Sequence, residues 1–171
     1  MRSAFRHTLL ALLPALCTVV SGCSVPSAEP SAESDTIRVV RVVDGDTIRV
    51  ALPSGEEPVR YIGIDAPESV KPGSPVECFA RRAGAFNERL VAGERVRLVR
   101  DVEERDRYGR LLAYVYRERD GLFVNAELVR RGYATVATFP PNVAHERDFK
   151  RLANRARLSG RGLWSECVGA S

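Results

Sequence analysis

Carboxylate and guanidinium side chains collect at three short stretches of this 171-residue chain. They are Asp44 with Asp46, then Arg60 with Asp65 and Glu68, then Asp106-Arg107-Tyr108-Gly109-Arg110. Carboxylate oxygens are hard ligands for a divalent cation, Ca2+ above all where they are few, flexible and completed by water. Such a cation polarises a phosphoryl oxygen. Guanidinium groups grip phosphate through paired hydrogen bonds and stabilise the extra charge of a five-coordinate transition state. A remaining carboxylate can orient or deprotonate an attacking water. Together these groups are the inventory for cutting a phosphodiester. Taken alone, Asp44-Gly45-Asp46 reads first as a solvated hairpin turn, and it is the company of the other two stretches that changes the reading.

Each stretch falls at the end of an expected strand. The β-branched runs 37–43 and 48–52 flank Asp44-Gly45 and predict two strands joined there. If the backbone stays extended, Asp44 and Asp46 leave on the same side. Residues 53–58 are a turn by composition. Residues 59–64 predict a third strand, with Arg60, Ile62 and Ile64 on one face, and Pro67 stops further pairing. Residues 77–92 predict a helix, with Phe79, Ala83, Phe86 and Leu90 at helical spacing and Gly93 at its stop. Residues 95–100 alternate as a half-buried strand, and 111–116 predict another. Helices follow over 123–131 and 144–159. The second is apolar at Phe149, Leu152, Ala153 and Ala156, and its basic side, with Arg147, Lys150, Arg151, Arg155 and Arg157, reads as a solvated face. Leu163 and Trp164 are expected to pack back on the domain. Five short strands with a helix after the third predict an α+β domain: a small antiparallel five-stranded barrel of the OB type with about three helices.

The ends of the chain carry different information. Arg2 and Arg6 precede an apolar run, 9–16, that is too short to span a bilayer as a mature helix. Val20-Ser21-Gly22-Cys23 is similar to a bacterial lipobox. That motif implies a lipoprotein signal peptide over 1–22 and acylation of Cys23. The domain would then be exported and lipid-anchored to a bacterial cell membrane, facing outside or into the periplasm. An ordinary secretory signal cut nearby is the alternative. Residues 23–35, rich in Pro, Ser, Ala and Glu, read as a flexible tether, leaving 36–168 as the folded domain. Removing 1–22 takes away two arginines and no acids, lowering the formal charge from +4 to +2, so bulk basicity argues little for a polyanionic partner. Of the four cysteines, Cys17 leaves with the signal and Cys23 carries lipid. The remaining pair, Cys78 and Cys167, suggests a disulfide in an exported domain, with two separate buried thiols as the alternative. No C-x-x-C or Cys/His cluster suggests zinc.

Val43-Asp44-Gly45-Asp46-Thr47, the run from Arg60 to Glu68, and Asp106 to Tyr114 resemble the motifs of the staphylococcal nuclease family. The resemblance runs in order from Thr36 to Trp164 and includes Val124-Asn125-Ala126-Glu127-Leu128-Val129 and His145-Glu146. It implies that Asp46 and Asp65 ligate Ca2+, helped by the backbone carbonyl of Ala66, with Asp44 acting through water. It implies Glu68 as general base or water-positioner. Arg60 and Arg110 would hold the scissile phosphate, and Arg110 would also lie near the leaving oxygen. Arg107, Tyr108 and Phe139 would contact substrate, either DNA or RNA, preferably single-stranded, and the ends left would be 3′-phosphates. A monomer without a protein partner is implied. Two positions depart from the family pattern. Ala66 replaces a threonine, which a main-chain ligand tolerates, and Ala137 and Phe139 stand where two tyrosines face the nucleobase. His145, at an expected helix start, is assigned a structural role. The rival reading is a non-catalytic OB module that binds single strands at the cell surface, with Tyr61, Tyr108 and Tyr114 for stacking. Carboxylates beside a phosphate would repel nucleic acid unless a metal is bound, which favours the enzyme.

Overall fold

In a computed structural model describing residues 36–69, 73 and 75–167, the runs beside Asp44-Gly45 pair antiparallel as β1 (Thr36–Val42) and β2 (Thr47–Leu52). The expected signal peptide over 1–22, Cys23 with the expected tether, and residue 168 lie outside the described residues. β2 turns at once into β3 (Gly55–Tyr61), and β3 pairs with β6 (Leu111–Arg117). β6 pairs with β5 (Arg95–Val99), which pairs back to β1 and closes a five-stranded barrel. Alternation turns Val39, Ile48, Val50, Val59, Val96 and Val115 into its interior, where all are essentially fully buried. The fold is the expected OB-type α+β barrel.

Several local expectations change. The barrel is mixed rather than wholly antiparallel, because β3 and β6 run parallel. The turn after β2 is shorter than 53–58, and Pro58 lies inside β3. There it faces Arg49 of β2, one residue before the β6 pairing starts at Val59, so its missing N–H interrupts no ladder on that side. The third strand does not run on to Ile64. It ends at Tyr61, turns at Ile62-Gly63 and resumes as β4 (Ile64–Asp65), paired with β7 (Thr135–Val136). Gly63 has φ +79°, and a Cβ there would stand 2.7 Å from the Phe149 ring, so only glycine fits both the backbone and the packing. Arg60, Ile62 and Ile64 therefore do not share one strand face.

Among the described residues four helices flank the barrel. α1 (Ala80–Val91) starts three residues later than expected, because Phe79 adopts a left-handed φ of 71° and Cys78 is held in a disulfide. α2 (Val124–Arg131) buries Val124, Leu128 and Val129. α3 (Glu146–Leu158) buries Phe149 and Ala156 and packs on α2. A short α4 (Leu163–Glu166) is additional to the expected three, and Leu163 N–H donates to Gly132 O at 2.9 Å. Cys78 and Cys167 are bonded, their α-carbons 5.9 Å apart, as the cysteine count suggested.

Buried asparagines join these layers. Asn125, on α2, accepts the Val115 N–H at 2.9 Å and donates to Ile62 O at 3.0 Å, tying the helix to β6 and to the turn that ends β3. A buried amide that satisfies two backbone groups is costly to remove, because both are left without partners. Asn125→Ala is expected to lower unfolding free energy by about 3 kcal/mol or more. Urea denaturation checks this: the midpoint falls while the m-value stays unchanged.

Candidate active site

Gly45 lets the Asp44–Asp46 turn approach its neighbours. A Cβ at Gly45 would stand 2.5 Å from the Ala66 Cβ and 2.9 Å from the Ala83 Cβ. The two aspartates are not an extended same-side pair. Asp44 Oδ1 accepts the Asp46 backbone N–H at 3.1 Å, so Asp44 closes its own turn. Asn87 Nδ2 donates to Asp44 O at 2.9 Å, while Asn87 Oδ1 accepts the buried Tyr61 hydroxyl at 3.0 Å. The turn is thereby fixed to α1 and β3.

Asp46 is buried and saturated with donors. Its Oδ1 accepts the Thr47 hydroxyl at 3.1 Å, and its Oδ2 accepts the Ala66 N–H at 2.6 Å and Arg60 Nη1 at 2.9 Å. Arg60 Nη1 also donates to Ile64 O at 3.0 Å, and Nη2 donates to Asp65 Oδ1 at 2.6 Å. One largely buried guanidinium thus joins Asp46 to Asp65, and the β3 break makes this possible by bringing β4 back toward Arg60. Burial pushes the Asp46 carboxyl up to about 7, with the charges of Asp44 and Asp65 adding to it. Arg60 and the Ala66 N–H pull the other way. Asp65, open to solvent at the rim, is also raised, by partial desolvation and then by the neighbouring charges of Glu77, Glu68 and Asp44, against the pull of Arg60. Carboxylates outnumber cations here. Among the described residues no three of His, Cys, Asp or Glu converge as a preformed metal cage. The donors are two carboxylates with an arginine between them and Asp44 close by.

Arg60 and Asp65 open onto a cleft of about 520 Å³ that Arg107, Tyr108, Arg110, Ala137 and Phe139 also line. Asp106 builds its near wall. Its Oδ1 accepts the N–H groups of Tyr108 and Arg110 at 2.9 and 3.0 Å, and its Oδ2 takes Arg110 Nε at 2.7 Å. Desolvation would raise the Asp106 carboxyl, but the Arg110 side chain and these two N–H groups outweigh it and hold it below the usual carboxylate range. Asp106 therefore orients Arg110 through Nε and leaves its terminal nitrogens to face other partners. The Arg107 and Arg110 guanidinium carbons lie 4.8 and 5.5 Å from the Tyr108 ring centroid, and Tyr108 and Phe139 are largely exposed. Opposite, buried Asn142 clamps Glu103 on both sides: Oδ1 accepts its N–H at 2.7 Å and Nδ2 donates to its O at 2.9 Å. That clamp ties the 101–110 loop to the turn carrying Phe139.

Glu68 stands apart from the cleft lining, on the chain that leaves β4. Its N–H donates to Glu77 Oε2 at 2.9 Å and its carbonyl accepts the Glu77 N–H at 3.0 Å. His145 packs edge-on against Tyr114 at 4.5 Å, within a cluster that includes Phe123 and Phe149, as its structural assignment required. Asn87, Asn142 and Glu77 were not singled out from the sequence. An isolated polar residue with partners nine to 43 positions away carries no periodic signal.

The comparisons agree with this geometry. A family profile described as "Staphylococcal nuclease homologue" matches residues 58–166. The chain is 36% identical over 135 residues to a thermonuclease of Staphylococcus hyicus, with 79% of each chain covered. A thermonuclease of Staphylococcus intermedius is 38% identical over 126 residues, covering 74% of each. Endonuclease YncB of Bacillus subtilis is 34% identical over 143 residues, covering 82% of this chain and 67% of its own. A closed five-stranded barrel, a carboxylate–arginine site at its strand ends and relatives that align along most of the sequence lead to one conclusion: this chain belongs to the staphylococcal nuclease family.

Proposed function

We infer that this nuclease cleaves the phosphodiester bonds of DNA and RNA alike, with the help of Ca2+, leaving 3′-phosphate ends. The observation that carries the reading is the Asp46–Arg60–Asp65 bridge at the edge of the cleft that Arg110 and Tyr108 line. The donor set fits calcium. It is all hard oxygen, supplied by Asp46, Asp65 and the Ala66 carbonyl, with Asp44 near enough to act through water. Few protein ligands imply weak, reversible binding. Bound there, Ca2+ would offset the local excess of carboxylate charge and polarise a phosphoryl oxygen.

The chain's own residues account for the rest. Arg110, held by Asp106 through Nε, would turn the planar fork of its terminal nitrogens to two phosphoryl oxygens, and Arg60 would reach phosphate with the N–H groups its carboxylate partners leave over. Glu68, as general base, takes the proton of the water that attacks phosphorus. The phosphorus–O5′ bond breaks, the 5′ oxygen leaves with its developing negative charge stabilised by Arg110 and takes a proton from solvent to become a hydroxyl, and the phosphate stays on the 3′ side. Arg107 and Tyr108 contact the flanking phosphate. Phe139 offers a ring to the base, but Ala137 offers none, so base preference should be slight. Stacking of one base is worth about 1–3 kcal/mol, a contact that Ala137 forgoes. Single strands bring phosphate and base into the cleft more readily than a duplex does. A lipid anchor at Cys23, holding the enzyme to a bacterial membrane, rests on the lipobox-like Val20-Ser21-Gly22-Cys23.

Heat-denatured DNA incubated with the enzyme is expected to survive in chelator and to be cut when Ca2+ is restored; full activity in chelator would refute the mechanism. Glu68→Gln is expected to lower kcat on the order of 10²-fold with KM nearly unchanged. Arg110→Lys should be comparably slow, since a point charge does not replace a planar fork. A Glu68→Gln enzyme at half the parental rate would assign the base elsewhere. Cys23→Ser should move the protein from the membrane to the soluble fraction of cells expressing the full chain, as seen by fractionation. Retention on the membrane would exclude the acyl anchor.

A further inference from the structure

We propose that Glu77 is the residue that positions Glu68 for catalysis, and that the Cys78–Cys167 disulfide braces it in that role. The inference rests on Glu68 acting as the base. Glu68 and Glu77 are nine positions apart in sequence, yet they clasp each other by two hydrogen bonds. The Glu77 carboxylate accepts the Glu68 N–H at 2.9 Å, and the Glu77 N–H donates to the Glu68 carbonyl at 3.0 Å. The clasp fixes the backbone from which the Glu68 side chain projects, two residues after Ala66.

The clasp lies in water, and that is why it needs a brace. Glu77 and Cys78 are exposed, and a solvent-facing hydrogen bond competes with water and adds little by itself. The neighbour of Glu77 in the chain is covalently held. Cys78 is bonded to Cys167 at the end of α4, and Arg82 of α1 pairs with Glu166 beside it at 2.7 Å. Between the disulfide and α1, Phe79 takes a left-handed φ of 71°, which an aromatic residue holds only where its surroundings impose it. Its ring centroid lies 5.2 Å from that of Tyr133 and 5.5 Å from the Arg82 guanidinium carbon. Around Glu77 the chain is therefore held by the end of α4 through Cys78 and by Tyr133 and Arg82 through Phe79, contacts that lie outside the barrel strands. The consequence for chemistry is large because a base misplaced by about 1 Å can lose a hundredfold in rate.

Two substitutions separate acceptance of a hydrogen bond from negative charge. Glu77→Ala removes the acceptor, whereas Glu77→Gln keeps an Oε1 that can accept the Glu68 N–H but loses the charge. At saturating Ca2+ and denatured DNA, Glu77→Ala is expected to lower kcat at least about tenfold with KM unchanged, and Glu77→Gln to restore most of the rate, while any small shift in Ca2+ half-saturation should be the same in both because both remove the same charge near Asp65. In a Glu68→Gln background Glu77→Ala should cost nothing further in kcat, because the group it positions is already gone. The double variant Cys78→Ala/Cys167→Ala, assayed well below its melting temperature, should be slowed in the same way and should add little to Glu77→Ala. Equal losses in Glu77→Ala and Glu77→Gln, together with a higher Ca2+ requirement, would make Glu77 a cation ligand and overturn the proposal. So would an unchanged kcat in Glu77→Ala, or a fully additive loss in the Glu68→Gln background. A Glu68→Gln enzyme of normal rate would instead remove the base assignment itself, whatever Glu77 does.

Discussion

Arg60 is the one cation on which the arrangement of the site depends. Its guanidinium is largely withdrawn from water between Asp46 and Asp65, and it also donates to the main-chain carbonyls of Tyr61 and Ile64. A buried carboxylate without a partner is strongly disfavoured, so Asp46 can sit at the floor of the site only because Arg60 faces it. The same side chain satisfies carbonyls on both sides of the β3–β4 break, which otherwise would lose ladder partners as the strand turns away. Charge compensation and backbone satisfaction meet in one group. The bend at Ile62-Gly63 is thus part of the site and not an irregularity of the sheet.

Around that group the support is polar and buried. Asn87 holds the Asp44 turn, Asn125 holds the Ile62 carbonyl at the β3 break, and Asn142 holds the Glu103 backbone of the cleft loop. Each amide contributes a donor and an acceptor in fixed geometry, and each joins a helix or turn to a strand end or loop near chemistry-bearing residues. The barrel interior supplies stability through valine and isoleucine, while the asparagines determine where the functional turns stand relative to one another. Loss of an interior methyl group would soften the whole domain. Loss of one of these amides would also displace a particular part of the site.

The barrel and its chemical residues were legible because both write short, local patterns. The β-branched runs around Asp44-Gly45 and the alternation of 95–100 fix strands by period, and Asp46, Arg60, Asp65 and Arg110 sit in motifs at their ends. What was illegible depends on contacts far along the chain. Arg60, Ile62 and Ile64 alternate well enough to read as one strand, and only Phe149, in a helix far downstream, explains why Gly63 must turn there. The late start of α1 stems from Cys167 and Tyr133, which no window around residue 77 contains. Parallel pairing of β3 with β6 likewise leaves no trace in either strand's own pattern.

Gly132 and Gly162 meet so closely that a Cβ on either would stand 2.2 Å from a carbonyl oxygen of the other segment, and just beyond that seam α4 delivers Cys167 to Cys78. The bond spans 89 positions, a stretch that includes α1, β5, the exposed 101–110 loop, β6, α2 and α3. Peptide-bond continuity is therefore not the only thread holding the domain together. A protease that nicks the backbone once anywhere inside that span produces two polypeptides that remain a single covalent molecule. The chain is in this sense closed into a ring across most of its folded length.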